Sequence, residues 1–321
     1  MVFNSIFFIF CFLPVFMLIY YLVPGKLRNL LLFLGSLIFY AWGEPVYVIL
    51  MLFSSIFNYY MGTELERLYY DDRKQKINLI FSIIINLAVL VFFKYYGFLL
   101  NTIGGIIGIH IPHPELSLPI GLSFYTFRNL SYLFDIYLSK VSAQRNFLTF
   151  AVYSTMFPYT SAGPIVRYTD IETQLKQRTI NISKFGIGAE LFVKGLAKKV
   201  LLADNLSVLY SSICGHPQMS VFTSWLGILA YTMQLYFDFS GYSDMAIGLG
   251  KMLGFDFNKN FDYPYISTSV SEFWRRWHIS LGSWFRDYIY IPLGGNRVST
   301  LKHIRNILVV WALTGPVSYT H

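Results

Sequence analysis

The chain has 321 residues, of which 55% are hydrophobic, 19% aromatic and only 13% charged, whereas soluble domains carry about 25% charged residues. Because the apolar residues form many long runs, this composition excludes a soluble globular protein and predicts an all-α, polytopic integral membrane protein. The formal net charge of +8 resides in short loops between these runs, which excludes a nucleic-acid partner, and the two cysteines form no disulfide or zinc pattern.

Ten apolar segments follow one another along the chain and predict about nine to ten membrane helices. They cover residues 2–23, 29–42, 46–62, 77–100, 118–138, 146–163, 184–212, 221–238, 241–254 and a last segment from about 306. Several are shorter than the ~20 residues that cross the hydrocarbon core, so re-entrant or interfacial segments are expected among them. Few loops are long enough to form a separate domain, so residues 1–315 are predicted to form one domain.

Lysine and arginine residues mark alternate loops over the first five segments. The loops 43–45 and 101–117 have none, and the basic residues follow the first, third and fifth segments, at Lys26, Arg28, Arg67, Arg73, Lys74, Lys76, Lys140 and Arg145. Because short basic loops stay in the cytoplasm, the N-terminus is predicted to face outside.

Two carboxylates, Asp238 and Asp244, lie beside or within predicted membrane segments. Such residues are costly in a bilayer and indicate an internal polar lining, or partners for the arginines of residues 267–296. Their six-residue spacing places them on opposite helix faces with no histidine nearby, so no metal site is predicted. The lysines of the adjacent 194–199 segment either extend to lipid headgroups or contact an anionic cytoplasmic ligand.

Residues 267–296 form the most distinctive stretch, with the sequence STSVSEFWRRWHISLGSWFRDYIYIPLGGN. Ser269-x-x-Glu272 predicts a capping box at the start of a helix. An apolar stripe follows at spacings of four, four and three residues, formed by Phe273, Trp277, Leu281 and Trp284. The helix is expected to end before Pro292, which cannot continue its hydrogen bonds.

His278 is predicted to lie on a different face of this helix. Trp274 and Arg275 are one turn before it and Gly282 is one turn after it, so the glycine leaves a gap that a substrate or a neighbouring backbone fills. A histidine packed under an interfacial helix is the structural alternative. Arg275, Arg276 and Arg286 either hold an anionic donor or intermediate, or pair with Glu272, Asp287 and lipid phosphate.

Five blocks carry a resemblance to a known family: FFKYYGF (92–98), LPIGLSFYTF (118–127), AGPIVRY (162–168), YFDFSGYSDMAIGLGKMLGF (236–255) and NFDYPYISTSVSEFWRRWHISLGSWFRDYIYIPLGGNR (260–297). They resemble the membrane-bound O-acyltransferases, and within them the branch that O-acetylates bacterial polysaccharides such as alginate. The resemblance covers nearly the whole chain, and its last block is very specific.

The resemblance implies a ring of membrane helices around a thin central region, in the inner membrane of a bacterium. The donor, acetyl-CoA or another activated acyl compound, would arrive from the cytoplasm as a substrate, with no cofactor bound. The polysaccharide acceptor would arrive from outside, with the help of periplasmic partner proteins. His278 matches the first of two family histidines and is the catalytic candidate, with substrate-binding candidates at Trp274, Arg275, Arg276, Gly282, Asp238 and Asp244.

The second family histidine belongs to a Leu-Trp-His-Gly motif that follows a segment like residues 307–315. Here Gly315 is followed by PVSYTH (316–321), and His321 does not match that motif. These six residues are therefore predicted to be a foreign tail, and the 321-residue form is expected to be inactive.

The sequence leaves three other functions open. The family branch that transfers D-alanine to teichoic acids shares the FDF-x-GYS and WHISL-like cores, although residues 289–296 favour acetyl transfer. A transporter or channel usually shows paired halves with corresponding broken helices, and no such repeat is found. A non-catalytic scaffold that relays acyl groups to a partner is the third.

Overall fold

A computed structural model describes residues 1–109, 112, 116–161, 163–216 and 220–318 of the protein. Within these ranges every regular element is a helix, which confirms the predicted all-α class. The α-helices are α1 (Leu13–Leu22), α2 (Arg28–Gly43), α3 (Val48–Arg67), α4 (Asp72–Ile107), α5 (Leu122–Tyr137), α6 (Phe147–Thr155), α7 (Tyr168–Lys176), α8 (Ile182–Ala197), α9 (Asp204–Cys214), α10 (Val221–Met252), α11 (Val270–Arg276), α12 (Ile279–Phe285) and α13 (Thr300–Ser318).

Short helical segments of other kinds extend several of these elements. The π-helical segments are Phe8–Phe12, Lys198–Ala203 and Arg286–Tyr290, and the 3₁₀ segments are Gly25–Leu27, Phe157–Tyr159 and Pro264–Ile266. By length and composition, α3 and α4 are the helices of the described chain that can each cross a membrane. The predicted total of nine to ten crossings stays a prediction, and residues 319–321 of the predicted tail lie outside the described residues.

The chain forms two compact units. The first comprises Met1–Gly35, Ala162–Val166 and Asp170–Ser280, and the second comprises Ser36–Ser161, Arg167–Thr169 and Leu281–His321. The single domain predicted for residues 1–315 stays a prediction.

In the first unit, α8 and α10 pack with their backbones in close contact through glycines. A Cβ atom on Gly195 would lie 2.5 Å from the carbonyl oxygen of Gly241, and one on Gly248 would lie 2.6 Å from that of Gly188. Small residues at such positions let membrane helices approach closely. α10 is one unbroken helix of 32 residues that includes Gly241. The prediction of separate segments at 221–238 and 241–254 was therefore wrong.

The N-terminal helix of the first unit supports the end of α10. The hydroxyl of Tyr20 donates to the carbonyl oxygen of Leu253, and that of Tyr21 donates to the carbonyl oxygen of Met252, each at 2.8 Å. These bonds satisfy carbonyl groups that the last turn of a helix leaves without partners. The chain then leaves α10 at a defined point and enters the 253–263 loop, which leads to the site described below.

In the second unit, buried polar side chains form hydrogen bonds that involve α3, α4 and α5. Asn58 of α3 and Asn86 of α4 exchange two amide hydrogen bonds of 2.9 and 3.0 Å. Arg128 of α5 is fully buried and donates to the carbonyl oxygens of Tyr159 and Ser154 at 2.8 and 2.9 Å. Interhelical hydrogen bonds of this kind hold helices together where the surroundings are apolar.

The predicted single helix over residues 267–296 is in fact interrupted. α11 ends at Arg276, α12 starts at Ile279, and His278 between them has a left-handed backbone with φ of +43°. The physical reason is competition from the 253–263 loop, which supplies backbone partners at 2.9 Å to Arg276 and Ile279 and so replaces helical hydrogen bonds.

Both ends of the stretch agree better with the prediction. The Ser269 hydroxyl accepts the Glu272 N–H at 3.2 Å, as in a capping box, but the Glu272 carboxylate accepts from the N–H and the hydroxyl of Thr268 instead of Ser269. The last helical segment, Arg286–Tyr290, ends before Pro292 as expected.

Candidate active site

His278 lies in the first unit, at the junction between α11 and α12, and is half-buried. Its Nδ1 atom is 3.0 Å from Oδ1 of Asn260. The ring of Phe239, on α10, meets the imidazole edge-on with 4.7 Å between ring centroids, and the Phe261 ring stacks at 6.3 Å. The Ser280 hydroxyl is 3.5 Å from the same Nδ1 atom, so Asn260 and Ser280 lie beside Nδ1, and Phe239 and Phe261 contact the ring.

Asn260 is the centre of the polar contacts around the histidine and is only 1% exposed. Its Oδ1 accepts the backbone N–H of Ser280 at 3.2 Å and the Ser280 hydroxyl at 2.9 Å, and its Nδ2 donates to the Ser243 hydroxyl at 3.1 Å. Ser280 in turn accepts the backbone N–H of Ile165 at 3.0 Å. These bonds join α10, the 253–263 loop and the start of α12 beside the imidazole.

The backbone of His278 is strained. A left-handed conformation costs an ordinary L-residue roughly 1–2 kcal/mol, and only glycine, asparagine and aspartate adopt it readily. Two hydrogen bonds hold it in place: Ile279 N–H donates to the Asn260 carbonyl oxygen, and Asp262 N–H donates to the Arg276 carbonyl oxygen, each at 2.9 Å. Strain of this kind concentrates at functional sites, where the surrounding structure enforces it.

The two arginines before His278 have different environments. Arg276 pairs with the Glu272 carboxylate at 2.8 Å and donates to the Asp262 carbonyl oxygen at 3.2 Å. Arg275 is exposed and has no ion pair among the described residues, and its neighbour Trp274 is 45% exposed. Of the two, Arg275 is the cation that can meet an anionic ligand.

The carboxylate of Glu272 is stabilised in its charged form. The backbone N–H of Thr268, the Thr268 hydroxyl and Arg276 all hydrogen-bond to it and lower its pKa from 4.5 to about 2. A carboxylate that accepts several hydrogen bonds keeps its charge in this way. Glu272 and Arg276 therefore stabilise α11, and Arg276 is a structural residue as much as a ligand candidate.

Arg286 belongs to the second unit and is likewise paired. Its Nε donates to Asp287 at 2.7 Å, and Arg167 binds the same carboxylate at 2.8 Å. Close by, the Tyr288 hydroxyl donates to Asp135 at 2.8 Å. Of the two alternatives left open for Arg286, the structure contains the ion pair with Asp287, and the sequence alone did not indicate that Arg167 and Asp135 join this group.

Asp238 and Asp244 do not pair with the arginines of residues 267–296. Asp244 binds Lys198 at 2.6 Å, and Asp238 binds Lys199 at 2.7 Å, while Lys199 also binds Asp204 at 3.0 Å. The alternative that these carboxylates pair with those arginines was therefore wrong, because the close contact of α8 with α10 brings the π-helical segment Lys198–Ala203 beside both carboxylates. These ion pairs also give a structural role to Lys198 and Lys199, two of the lysines in the 194–199 segment.

The prediction that Gly282 lies one helical turn after His278 was also wrong. His278 precedes α12 and is not helical, so Gly282 does not lie one helical turn from it on a shared face; Gly282 is an exposed residue of α12. The predicted apolar stripe of Phe273, Trp277, Leu281 and Trp284 is not continuous either, because the helix is interrupted between α11 and α12. Phe273 and Trp277 stack with 5.6 Å between ring centroids in the first unit, while Trp284 meets Phe127 at 4.5 Å in the second.

Asn260 is the functional candidate that the sequence pattern missed. It lies 18 residues before His278, too far for any helical or turn spacing to connect them. The signal that was available is its place at the start of the NFDYPY block, directly before a run that contains three aromatic residues.

Comparison with known proteins gives a consistent assignment. The model of MBOAT, the membrane-bound O-acyltransferase family, matches residues 42–315. The chain is 45% identical over 319 residues to the probable alginate O-acetylase AlgI of Pseudomonas aeruginosa, covering 98% of this chain and 61% of that protein. It is 35% identical over 350 residues to the peptidoglycan O-acetyltransferase of Helicobacter pylori, with 98% and 66% covered.

A more distant similarity connects the chain to a teichoic acid D-alanyltransferase of Bacillus subtilis, at 30% identity over 194 residues, which covers 57% of this chain and 47% of that protein. The chain spans about three fifths to two thirds of the length of the acetyl-transferring relatives.

Proposed function

The chain belongs to the membrane-bound O-acyltransferase family, and on that premise we propose that it carries the His278 site of an enzyme that O-acetylates a cell-envelope polysaccharide. The observation that supports this most directly is 45% identity over 98% of the chain to a protein named as a probable alginate O-acetylase. The D-alanyl-transferring relative is 30% identical over only 57% of the chain, which favours acetyl over D-alanyl transfer.

The proposed reaction moves an acetyl group from a cytoplasmic donor, acetyl-CoA or another activated acyl compound, to a hydroxyl of the acceptor. The hydroxyl oxygen forms a bond to the acyl carbon, the bond from that carbon to the leaving group breaks, and the hydroxyl proton passes to a base. An imidazole suits this proton transfer because its pKa lies near neutrality. His278, held against Asn260 and two aromatic rings, assists the proton transfer or orients one of the two substrates.

Arg275 and Trp274 are the proposed contacts for the donor. An activated acyl donor such as acetyl-CoA is anionic, and the exposed guanidinium of Arg275 offers it charge-assisted hydrogen bonds. Arg276 and Arg286 contribute less directly to donor binding, because carboxylates within the protein already pair with them.

We further propose a multi-pass protein of the bacterial inner membrane with nine to ten membrane helices and its N-terminus outside. The alternation of basic loops over the first five segments supports this orientation. The acceptor side would then face the periplasm, where envelope proteins assist acetylation.

The test compares His278→Asn with the wild type, each expressed from the complete gene in a strain that lacks its own polysaccharide acetyltransferase. Asparagine tolerates the left-handed backbone and reaches the position of Nδ1, so it removes mainly the far side of the ring. We expect the acetyl content of the polysaccharide to fall by about 10²-fold or more at equal protein levels.

Two results would contradict the proposal. Normal acetyl content in the His278→Asn strain would make His278 a structural residue. Ester-linked D-alanine in place of acetate in the wild-type strain would assign the chain to D-alanyl transfer instead.

A further inference from the structure

We infer that Asn260 is the positioning residue that sets the tautomer and the orientation of the His278 ring. The observation is the group of hydrogen bonds that converge on one atom, Oδ1 of Asn260: from the Ser280 backbone N–H at 3.2 Å, from the Ser280 hydroxyl at 2.9 Å, and from His278 Nδ1 at 3.0 Å.

The orientation of the Asn260 amide follows from chemistry. A backbone N–H can only donate, so the atom that faces Ser280 N must be the amide oxygen and not the NH₂ group. The NH₂ group then faces Ser243, whose hydroxyl accepts it at 3.1 Å. Both ends of the amide are satisfied in this orientation, and the reversed orientation would place two donors against each other.

The tautomer of His278 follows from the amide. Because Oδ1 of Asn260 has no hydrogen to give, Nδ1 of the imidazole must be the donor of their bond, and in the neutral ring Nε2 then carries the lone pair. The edge-on contact with Phe239, at 4.7 Å and 85°, fixes the plane of the ring. Asn260 itself cannot shift, since it is buried and its own carbonyl oxygen accepts the Ile279 N–H at 2.9 Å.

This arrangement has a consequence for turnover, which rests on the proposed function. A ring nitrogen with a lone pair accepts a proton or a hydrogen bond from a reacting group, whereas the other tautomer would present an N–H at the same place. Outer partners that orient functional histidines in metal sites typically change activity by about 10- to 100-fold when removed. We expect a similar loss of turnover when Asn260 loses its amide oxygen.

The experiment is ¹⁵N NMR of histidine-labelled protein in lipid, made from the complete gene. The His278 signals are assigned among the histidine signals by their loss in His278→Asn. In the wild type at neutral pH we expect a protonated Nδ1 and an unprotonated Nε2. Asn260→Ala should shift the population toward protonated Nε2 and lower the acetyl-transfer rate by about 10- to 100-fold.

Two further variants separate the positioning role from a loss of folding. Ser243→Ala removes the bond at the opposite end of the Asn260 amide and should leave the His278 tautomer unchanged. Asn260→Asp keeps an acceptor for Nδ1, so its Nδ1 should stay protonated, and it decides the question if Asn260→Ala does not accumulate.

A wild-type spectrum with protonated Nε2 and unprotonated Nδ1 would overturn the inference. So would an unchanged tautomer in folded Asn260→Ala, or an unprotonated Nδ1 in Asn260→Asp. The spectra do not depend on activity. A wild-type protein with the expected tautomer but no acetyl transfer would therefore refute the proposed function and leave the role of Asn260 intact.

Discussion

At His278 the backbone conformation is as unusual as the side-chain setting. Residues 270–276 and 279–285 are helical on either side, yet His278 has φ of +43°. The conformation places the imidazole against Asn260, and the two backbone bonds to the 253–263 loop compensate part of its cost. The side chain and the strained backbone at this residue are therefore parts of one arrangement.

This conformation predicts an inverted order of stability between glycine and alanine at residue 278. In a helix, alanine is more stable than glycine by about 1 kcal/mol, but in the left-handed region the Cβ atom costs roughly 1–2 kcal/mol. We therefore expect His278→Gly to unfold at a higher temperature than His278→Ala. Thermal unfolding of the two detergent-solubilised variants measures this, and a more stable alanine variant would indicate that residue 278 is helical.

At the scale of elements, the contact between α8 and α10 depends on having no side chain at particular glycines. α8 also offers an internal control, because a Cβ atom on Gly186 would have no atom within 4 Å, whereas one on Gly195 would meet the Gly241 carbonyl oxygen at 2.5 Å. This contact also places Lys198 and Lys199 beside the two aspartates of α10.

We expect Gly195→Ala to lower stability and accumulation markedly, and Gly186→Ala to be neutral or more stable by up to about 1 kcal/mol. Thermal unfolding and the amount of membrane-inserted protein are the measurements. Equal behaviour of the two variants would mean that α8 and α10 do not pack through Gly195.

The start of α11 should depend on pH through Glu272. Its pKa is lowered from 4.5 to about 2 by hydrogen bonds from Thr268 and by Arg276, so the folded state favours the carboxylate. Stability from this group is present above pH 4.5 and is lost as the pH falls through about 2. We expect hydrogen exchange of residues 268–276, corrected for intrinsic rates, to accelerate over that interval. Glu272→Gln should show no such change, and the same acidic transition in that variant would assign it to another group.

For the whole molecule, the proposed orientation in the membrane would set which side receives the proposed acyl donor. Within the described ranges, α3 and α4 are the two helices that can cross a membrane by length and composition. The turn between them has a basic residue near each end, Arg67 and Arg73. Tyr70, in this turn, is 96% exposed and is a suitable labelling position.

We expect a cysteine introduced by Tyr70→Cys to react with an impermeant thiol reagent only after the cells are opened, because the turn is predicted to be cytoplasmic. Cys11 and Cys214 are both exposed, so both are first replaced by serine. Labelling in intact cells would reverse the predicted topology.

Features that depend on composition and short-range spacing could be predicted from the sequence. The apolar runs indicated the all-helical class, and the sequence blocks identified the family. Ser269 and Glu272 indicated the start of α11, and Pro292 indicated where the helical part of residues 267–296 ends. Each of these follows from solvent preference, from a bond within one turn, or from a direct match of residues.

The geometry of the site could not be predicted in this way, because it depends on contacts between residues far apart in the sequence. The helix breaks at His278 because a loop 18 residues earlier supplies competing hydrogen bonds, and Asn260 gains its role through the same contact. The lysine partners of Asp238 and Asp244 depend on how closely α8 approaches α10. Periodicity reports which face of a helix is apolar, but it carries no information about which distant polar group will meet that face, because such contacts are determined by packing in three dimensions.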